Sequence, residues 1–234
     1  MRFSRWRAAG NEYLLAERAE LDRPLTPDRV RAEVGGADGV LEVVSAGDAE
    51  AEIVIWNTDG TTAEMSGNGT RIAAAWLAQR SGAETVSIHV GSRTVVARIL
   101  PGGEVEQELG RVDVLARERV AGLEATLVSV GNPHAVVVGD PNDLPLIGPL
   151  LEAHPRFPER TNVQVARVDG PGRVSARVWE RGVGETRSSG TSAVAVAAAT
   201  HGDGDVVVSF PGGDLHVSLA GGRARLRGPV ERVD

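Results

Sequence analysis

The 234-residue sequence predicts an α+β fold of two pseudo-symmetric halves, each a curled, barrel-like sheet around a central helix. Three observations carry this. The first is an internal repeat, IWNTDGTTAEMSGNGTRIAAAWLA (55–78) against VWERGVGETRSSGTSAVAVAAAT (178–200). Each copy opens on a β-branched residue and a tryptophan, Trp56 or Trp179. Each reaches Ser-Gly ten residues later, at Ser66 and Ser189. Upstream, Ala9-Gly10-Asn11 matches Val130-Gly131-Asn132, so the copies are offset by 121 to 123 residues, about half the chain. The second observation is the abundance of short β-branched or alternating stretches, the pattern of strands with one buried face. The third is that each Ser-Gly leads into one small-residue helical stretch, around which a sheet can close tightly. A repeat of this length fixes the architecture as a duplicated unit.

Taken in chain order, Met1-Arg2-Phe3 leads into strand-like sequence. TPDRVRAEV (26–34) reads as a short helix, with a Thr cap, Pro at the first helical position and Asp close behind. EIVIW is a strand, 67–80 a helix, and TVSIHV and RTVVARIL are strands. PGGEVEQELGRV (101–112) reads as the crossing between halves, assigned as 1–107 and 108–234, with the last strand allowed to return to the first half. The second half then reads ATLVSV, HAVVVG, TNVQVARV and RVSARVW as strands, 190–200 as a helix, and DVVVSF, DLHVSL and RARLRG as strands.

Composition narrows the chemistry. A net charge of -7 argues against a nucleic-acid or anionic-membrane partner. No apolar run is long enough to span a bilayer, and no signal peptide is read, so a cytoplasmic protein is expected. There is no Cys, which removes disulfides, zinc-thiolate sites and thiolate catalysis. All 25 basic residues are Arg, so Schiff-base and P-loop lysines are absent too. No metal site and no cofactor are expected. The six asparagines are Asn11, Asn57, Asn68, Asn132, Asn142 and Asn162, and all but Asn142 fall in Gly-rich or turn-like motif sequence.

The two Ser-Gly turns are the candidate site. A helix N-terminus offers unpaired N–H groups and partial positive charge, suited to a carboxylate. Two such turns related by a pseudo-twofold axis would put Ser66 and Ser189 on opposite sides of one ligand. That is what inversion at a carbon needs: one group removes a proton and the other delivers one to the opposite face. A single Ser-Gly turn is ordinarily a cap; two in matched contexts point to a site.

The motifs AAGNEYLL, GGADGVLEV, WNTDGTTAEMSGNGTR, VGNPHAVVV, RTNVQV and ERGVGETRSSGT, in this order along nearly the whole chain, resemble those of the diaminopimelate epimerase family. The resemblance implies a cofactor-independent amino-acid racemase fold with its site between two α/β halves, acting on a small zwitterionic amino acid in lysine and cell-wall biosynthesis, and a homodimer. It implies that Asn57, Asn162 and Arg181 hold the distal end of the substrate and that Glu180 and Asn11 lie near the reacting amino group. Gly67, Asn68, Gly190 and Thr191 would cradle the α-carboxylate, and Asn132 is a further binding position. His134 is expected as a buried turn histidine. The sequence departs from the family where it matters most: Ser66 and Ser189 stand where the family has its two catalytic cysteines. A serine hydroxyl is far less acidic than a thiol and needs an activator, and no Lys or His lies in the motif segments beside either serine. The segment RVRAEVGGADG is shorter than the family pattern, and Gly39 stands where some relatives carry Gln. Three readings therefore stay open: an epimerase, a homologue that binds without epimerising, and a different reaction on the same scaffold.

Overall fold

The computed structural model describes residues 3–234. Of the N-terminal stretch read as leading into a strand, Met1 and Arg2 lie outside the described residues. The elements in order are β1 (Ser4–Ala8), β2 (Asn11–Glu17), α1 (Pro27–Glu33), β3 (Gly39–Ala46), β4 (Glu50–Asn57), β5 (Thr62–Ala63), α2 (Gly67–Ser81), β6 (Thr85–Val90), β7 (Arg93–Ile99) and β8 (Glu104–Arg111). There follow β9 (Asp113–Val120), β10 (Leu123–Ser129), β11 (Pro133–Val138), α3 (Leu144–Glu152), β12 (Asn162–Gly170), β13 (Arg173–Glu180), β14 (Gly184–Thr186), α4 (Gly190–Thr200), β15 (Gly204–Phe210), β16 (Gly213–Ala220), β17 (Arg223–Pro229) and β18 (Glu231–Arg232). No helix among the described residues is long and apolar enough to cross a membrane.

The described residues form two compact units, one of residues up to Glu108 together with Arg227–Asp234, the other Leu109–Leu226. The segment 101–112, read from the sequence as a crossing, is for the most part strand β8, and the boundary between units falls inside it. Its glycines and charges look like a connector, but Val105 and Gln107 alternate inward and are buried.

In the first unit the strand order is β18-β1-β2-β3-β4-β6-β7-β8, with the short β5 on β4. Only β2·β3 and β4·β6 are parallel. In the second unit the order is β9-β10-β11-β12-β13-β15-β16, with β14 on β13, and the parallel pairs are the matching β11·β12 and β13·β15. The sequence repeat is thus a repeat of topology. It includes an exchange: the strand after β8 pairs in the second unit, and the strand after β17 pairs in the first.

Each sheet curls around its own helix. α2 touches β1, β2, β3, β4, β6 and β7, and α4 touches the counterparts β10, β11, β12, β13, β15 and β16. Both helices are buried nearly all round, α2 through Ile72, Ala73, Ala74, Trp76, Leu77 and Ala78, and α4 from Ala193 to Ala199. Alanine and valine suffice because strands approach from every side. α1 starts as its sequence requires, with Thr26 Oγ1 accepting from Arg29 N at 3.3 Å and Pro27 in the first turn.

Helix α3 is not expected from the sequence, since Pro145 and Pro149 interrupt its pattern. Pro145 falls in the first turn, where no intrahelical N–H is needed, and Leu144, Gly148 and Leu151 make its buried face. Gly148 packs on the repeat tryptophan of this unit: a Cβ there would meet Trp179 Cγ at 2.8 Å. Both repeat tryptophans donate their indole N–H to a buried carboxylate, Trp56 to Glu42 at 3.0 Å and Trp179 to Glu152 at 2.7 Å.

Candidate active site

In the first unit Ala9 (φ 46) and Gly10 (φ 81) turn β1 into β2 as a two-residue hairpin, with Ala8 opposite Asn11. Asn11 and Tyr13 then lie on one face of β2 by the period of the strand. Asn68, in the first turn of α2, donates its amide to Asn11 Oδ1 at 2.5 Å. Ser66 is the N-cap of α2: its Oγ accepts from Gly69 N at 3.0 Å. The same Oγ lies 3.1 Å from the Tyr13 hydroxyl. Gly67 opens the helix beside it. The Asn57 side chain is engaged locally, donating to Thr61 Oγ1 at 2.9 Å, and its backbone sits opposite Gly39 on β3.

Arg71, one turn into α2, donates to Asn68 Oδ1. Its guanidinium is fully buried and, among the described residues, faces no carboxylate and has Nε and Nη1 without partners. Burial alone lowers it to about 10, still charged at neutral pH. A buried cation near a helix N-terminus makes this turn electropositive. Gly39 is fixed sterically. A Cβ there would meet Trp56 O at 2.5 Å and Tyr13 Cε1 at 2.8 Å, so the Tyr13 ring lies where a side chain at 39 would go. Gly39→Ala is expected to destabilise the protein by about 1–3 kcal/mol, read as a lowered urea midpoint at unchanged slope.

The second unit is built differently at the matching positions. Ser189 is again the N-cap residue, of α4, but its side chain makes no capping bond. It is buried and its hydroxyl bonds instead to the Glu180 carboxyl, which also accepts from Thr186 Oγ1 at 2.6 Å. Desolvation raises the Glu180 carboxyl above its ordinary range, and the bonds from Thr186 and Ser189 only partly oppose this. Glu180 is the last residue of β13, and β14 returns Thr186 opposite Val178, which brings the turn and the carboxylate together.

Asn162 accepts from Arg181 N at 3.0 Å and donates to Pro133 O at 2.9 Å, so it ties the end of β13 to the start of β11. The Arg181 side chain is exposed and reaches Glu159 O only at 3.5 Å. Asn132 reaches Thr191 Oγ1 at 3.5 Å and bonds His134 Nε2 at 2.9 Å. Gln164 Nε2 lies 3.0 Å from His134 Nδ1 and 2.9 Å from Ser192 Oγ. A donor at Nδ1 fixes the tautomer with the proton on Nε2, donated to Asn132 Oδ1. Burial, reinforced by the nearby Arg181 charge, lowers His134 to about 3, and a donor from Gln164 at Nδ1 likewise favours the neutral ring.

The predicted residues therefore gather within each unit: Asn11, Ser66, Gly67 and Asn68 in the first; Asn132, Asn162, Glu180, Arg181, Ser189, Gly190 and Thr191 in the second. The Asn57 side chain bonds to none of the others.

Comparison with known proteins bears on what such a pair of turns does. The diaminopimelate epimerase family model matches residues 11–115 and 126–232, one segment for each repeat. The chain belongs to this family. The diaminopimelate epimerase of Synechocystis is 36% identical over 99% of this chain and 96% of its own length, and that of Corynebacterium glutamicum is 35% identical over 97% and 94%. Among solved structures, a predicted epimerase from Pseudomonas aeruginosa superposes with a TM-score of 0.73 at 18% identity, covering 100% of this chain and 97% of its own. A hydroxyproline epimerase from Agrobacterium vitis gives 0.68 at 18%, covering 98% and 88%. These two establish the duplicated fold.

Within this diaminopimelate epimerase-family chain, two partners escaped the sequence reading. Tyr13 is one, although its spacing of two from Asn11 on a strand was a usable signal. The contact of Glu180 with Ser189 is the other. The sequence reading sought an activator among Lys and His alone and placed Glu180 near the substrate's amino group.

Proposed function

We propose that the protein is a cofactor-independent amino-acid epimerase that interconverts L,L- and meso-diaminopimelate by removing and returning the α-proton. The observation that carries this is the Ser189 hydroxyl, released from capping and bonded to a carboxylate of raised proton affinity. A serine so partnered can pass a proton to or from a substrate carbon. Ser66 would serve the opposite face of the same carbon. The α-carboxylate would lie against the N–H groups at Gly67-Asn68 and Gly190-Thr191, favoured by the Arg71 charge. Asn11 would lie near the reacting amino group. Asn57, Asn162 and Arg181 would meet the distal end, where the exposed Arg181 guanidinium can pair a carboxylate bidentately. Asn132 orders Thr191. The pathway roles of such an enzyme, lysine and cell-wall biosynthesis, belong to the cytoplasm.

The test is uptake of deuterium at the α-carbon of L,L-diaminopimelate in deuterated water, followed by NMR. Uptake is expected, and it should rise at least about 100-fold in a Ser66→Cys/Ser189→Cys protein, because thiols titrate nearer neutrality. No uptake by either protein overturns the proposal. The absence of every cysteine favours a second reading, a homologue that binds diaminopimelate without inverting it. That reading requires binding without uptake in the unmodified protein and uptake only after both serines are replaced.

A further inference from the structure

We infer that Tyr13 is the proton-exchanging and positioning partner of Ser66, standing to it as Glu180 stands to Ser189. The inference rests on the epimerase reading above and goes beyond it, since neither the repeat nor the family motifs assign Tyr13 a role.

Two independent observations converge. The Tyr13 hydroxyl lies 3.1 Å from Ser66 Oγ, within hydrogen-bond reach in either direction. The backbone is also shaped to hold the ring there. Tyr13 sits opposite Gly39 in the parallel β2·β3 pair, and a Cβ at Gly39 would collide with the ring at 2.8 Å. The ring thus fills the space that a side chain at 39 would otherwise occupy.

The chemistry follows from the loss of the thiols. A phenol gives up its proton far more readily than an aliphatic hydroxyl. Ser66 Oγ already accepts from Gly69 N, which fixes the oxygen but leaves its proton directed elsewhere. In the delivery step, the proton of Ser66 Oγ moves to the α-carbon, whose electron pair, held until then by the carboxylate, forms the new C–H bond. The neutral Tyr13 hydroxyl passes its proton to Ser66 Oγ as that bond forms. The serine ends neutral, and the phenolate left on Tyr13 takes a proton back from solvent water. Abstraction from this face reverses each transfer. Tyr13 acts only through Ser66 and touches no substrate atom.

Tyr13→Phe tests this because the ring, and its packing on Gly39, are retained. With diaminopimelate in deuterated water, kcat for α-deuterium uptake is expected to fall about 100-fold while KM stays within about twofold. In a Ser66→Cys protein, whose thiol needs no relay, the same change is expected to cost less than about threefold. Equal losses in the two backgrounds would mean a structural role, and no loss in either would mean none. Both results overturn the inference while uptake by the unmodified protein upholds the proposed function. Absence of uptake in the unmodified protein overturns both together.

Discussion

Glu180→Gln is expected to slow α-proton exchange by about 100- to 1,000-fold while making the folded protein more stable at pH 7. Both effects come from one carboxyl. Glutamine can still accept the Ser189 hydrogen bond, so the turn keeps its shape, but it cannot take or return a proton. The sign of the stability change follows from the raised carboxyl. A group that binds its proton more tightly in the folded state contributes stability fully at pH below the ordinary carboxylate range, and that contribution is lost as pH rises through the folded value. At pH 7 the desolvated carboxylate of this half-buried residue is a net cost, which the amide removes. Urea midpoints for the two proteins should therefore separate at pH 7 and converge near pH 4. Equal midpoints at pH 7 would show that the carboxylate is not desolvated. Unchanged exchange would show that Ser189 does not work through it.

The second large effect is acid sensitivity from His134. In the unfolded chain this imidazole titrates near 6.5, and in the folded protein it is lowered to about 3. Between these values the unfolded state binds the extra proton, so stability is full above about pH 6.5 and declines as pH falls toward about 3. The slope is at most about 1.4 kcal/mol per pH unit, and the whole loss is on the order of 5 kcal/mol. His134→Gln should flatten this limb at some cost in stability at neutral pH, where the bonds to Asn132 and Gln164 are weakened. Stability measured in urea from pH 7 to pH 4 checks it, and an equally steep limb in the variant would assign the acid sensitivity elsewhere.

Much of this architecture was legible in the sequence. The repeat tryptophans hold matching register: Val40 opposite Trp56 on β3·β4, and Val163 opposite Trp179 on β12·β13. The Ala- and Val-rich stretches read as central helices because nothing but a tightly curled sheet can cover them on all sides. Helix α3 was hidden because Pro145 and Pro149 both look like breakers, yet Pro145 falls in the first turn and Pro149 sits inside the nine-residue helix. Strand β8 was hidden because glycine and charge at 101–112 masked an alternation of buried Val105 and Gln107. At the site, the sequence located both serines but not their divergence. Matched positions in a repeat suggest matched bonding, yet Ser66 caps its helix and Ser189 does not. That difference depends on residue 180 being Glu where the first copy has Asn57, and on Tyr13, whose partner is distant in sequence.

The exchange of strands between the repeats bears on how the chain is made. The sheet of the first unit has β18 along β1, with Val233 N bonded to Arg5 O at 2.8 Å and Val230 in its core. During synthesis the first 108 residues emerge long before Arg227–Asp234. Until those residues leave the ribosome, β1 presents a bare ladder of donors and acceptors, ready to pair with another nascent copy. The duplication that gives the molecule its symmetry thus postpones completion of its earlier half until the later half has been made.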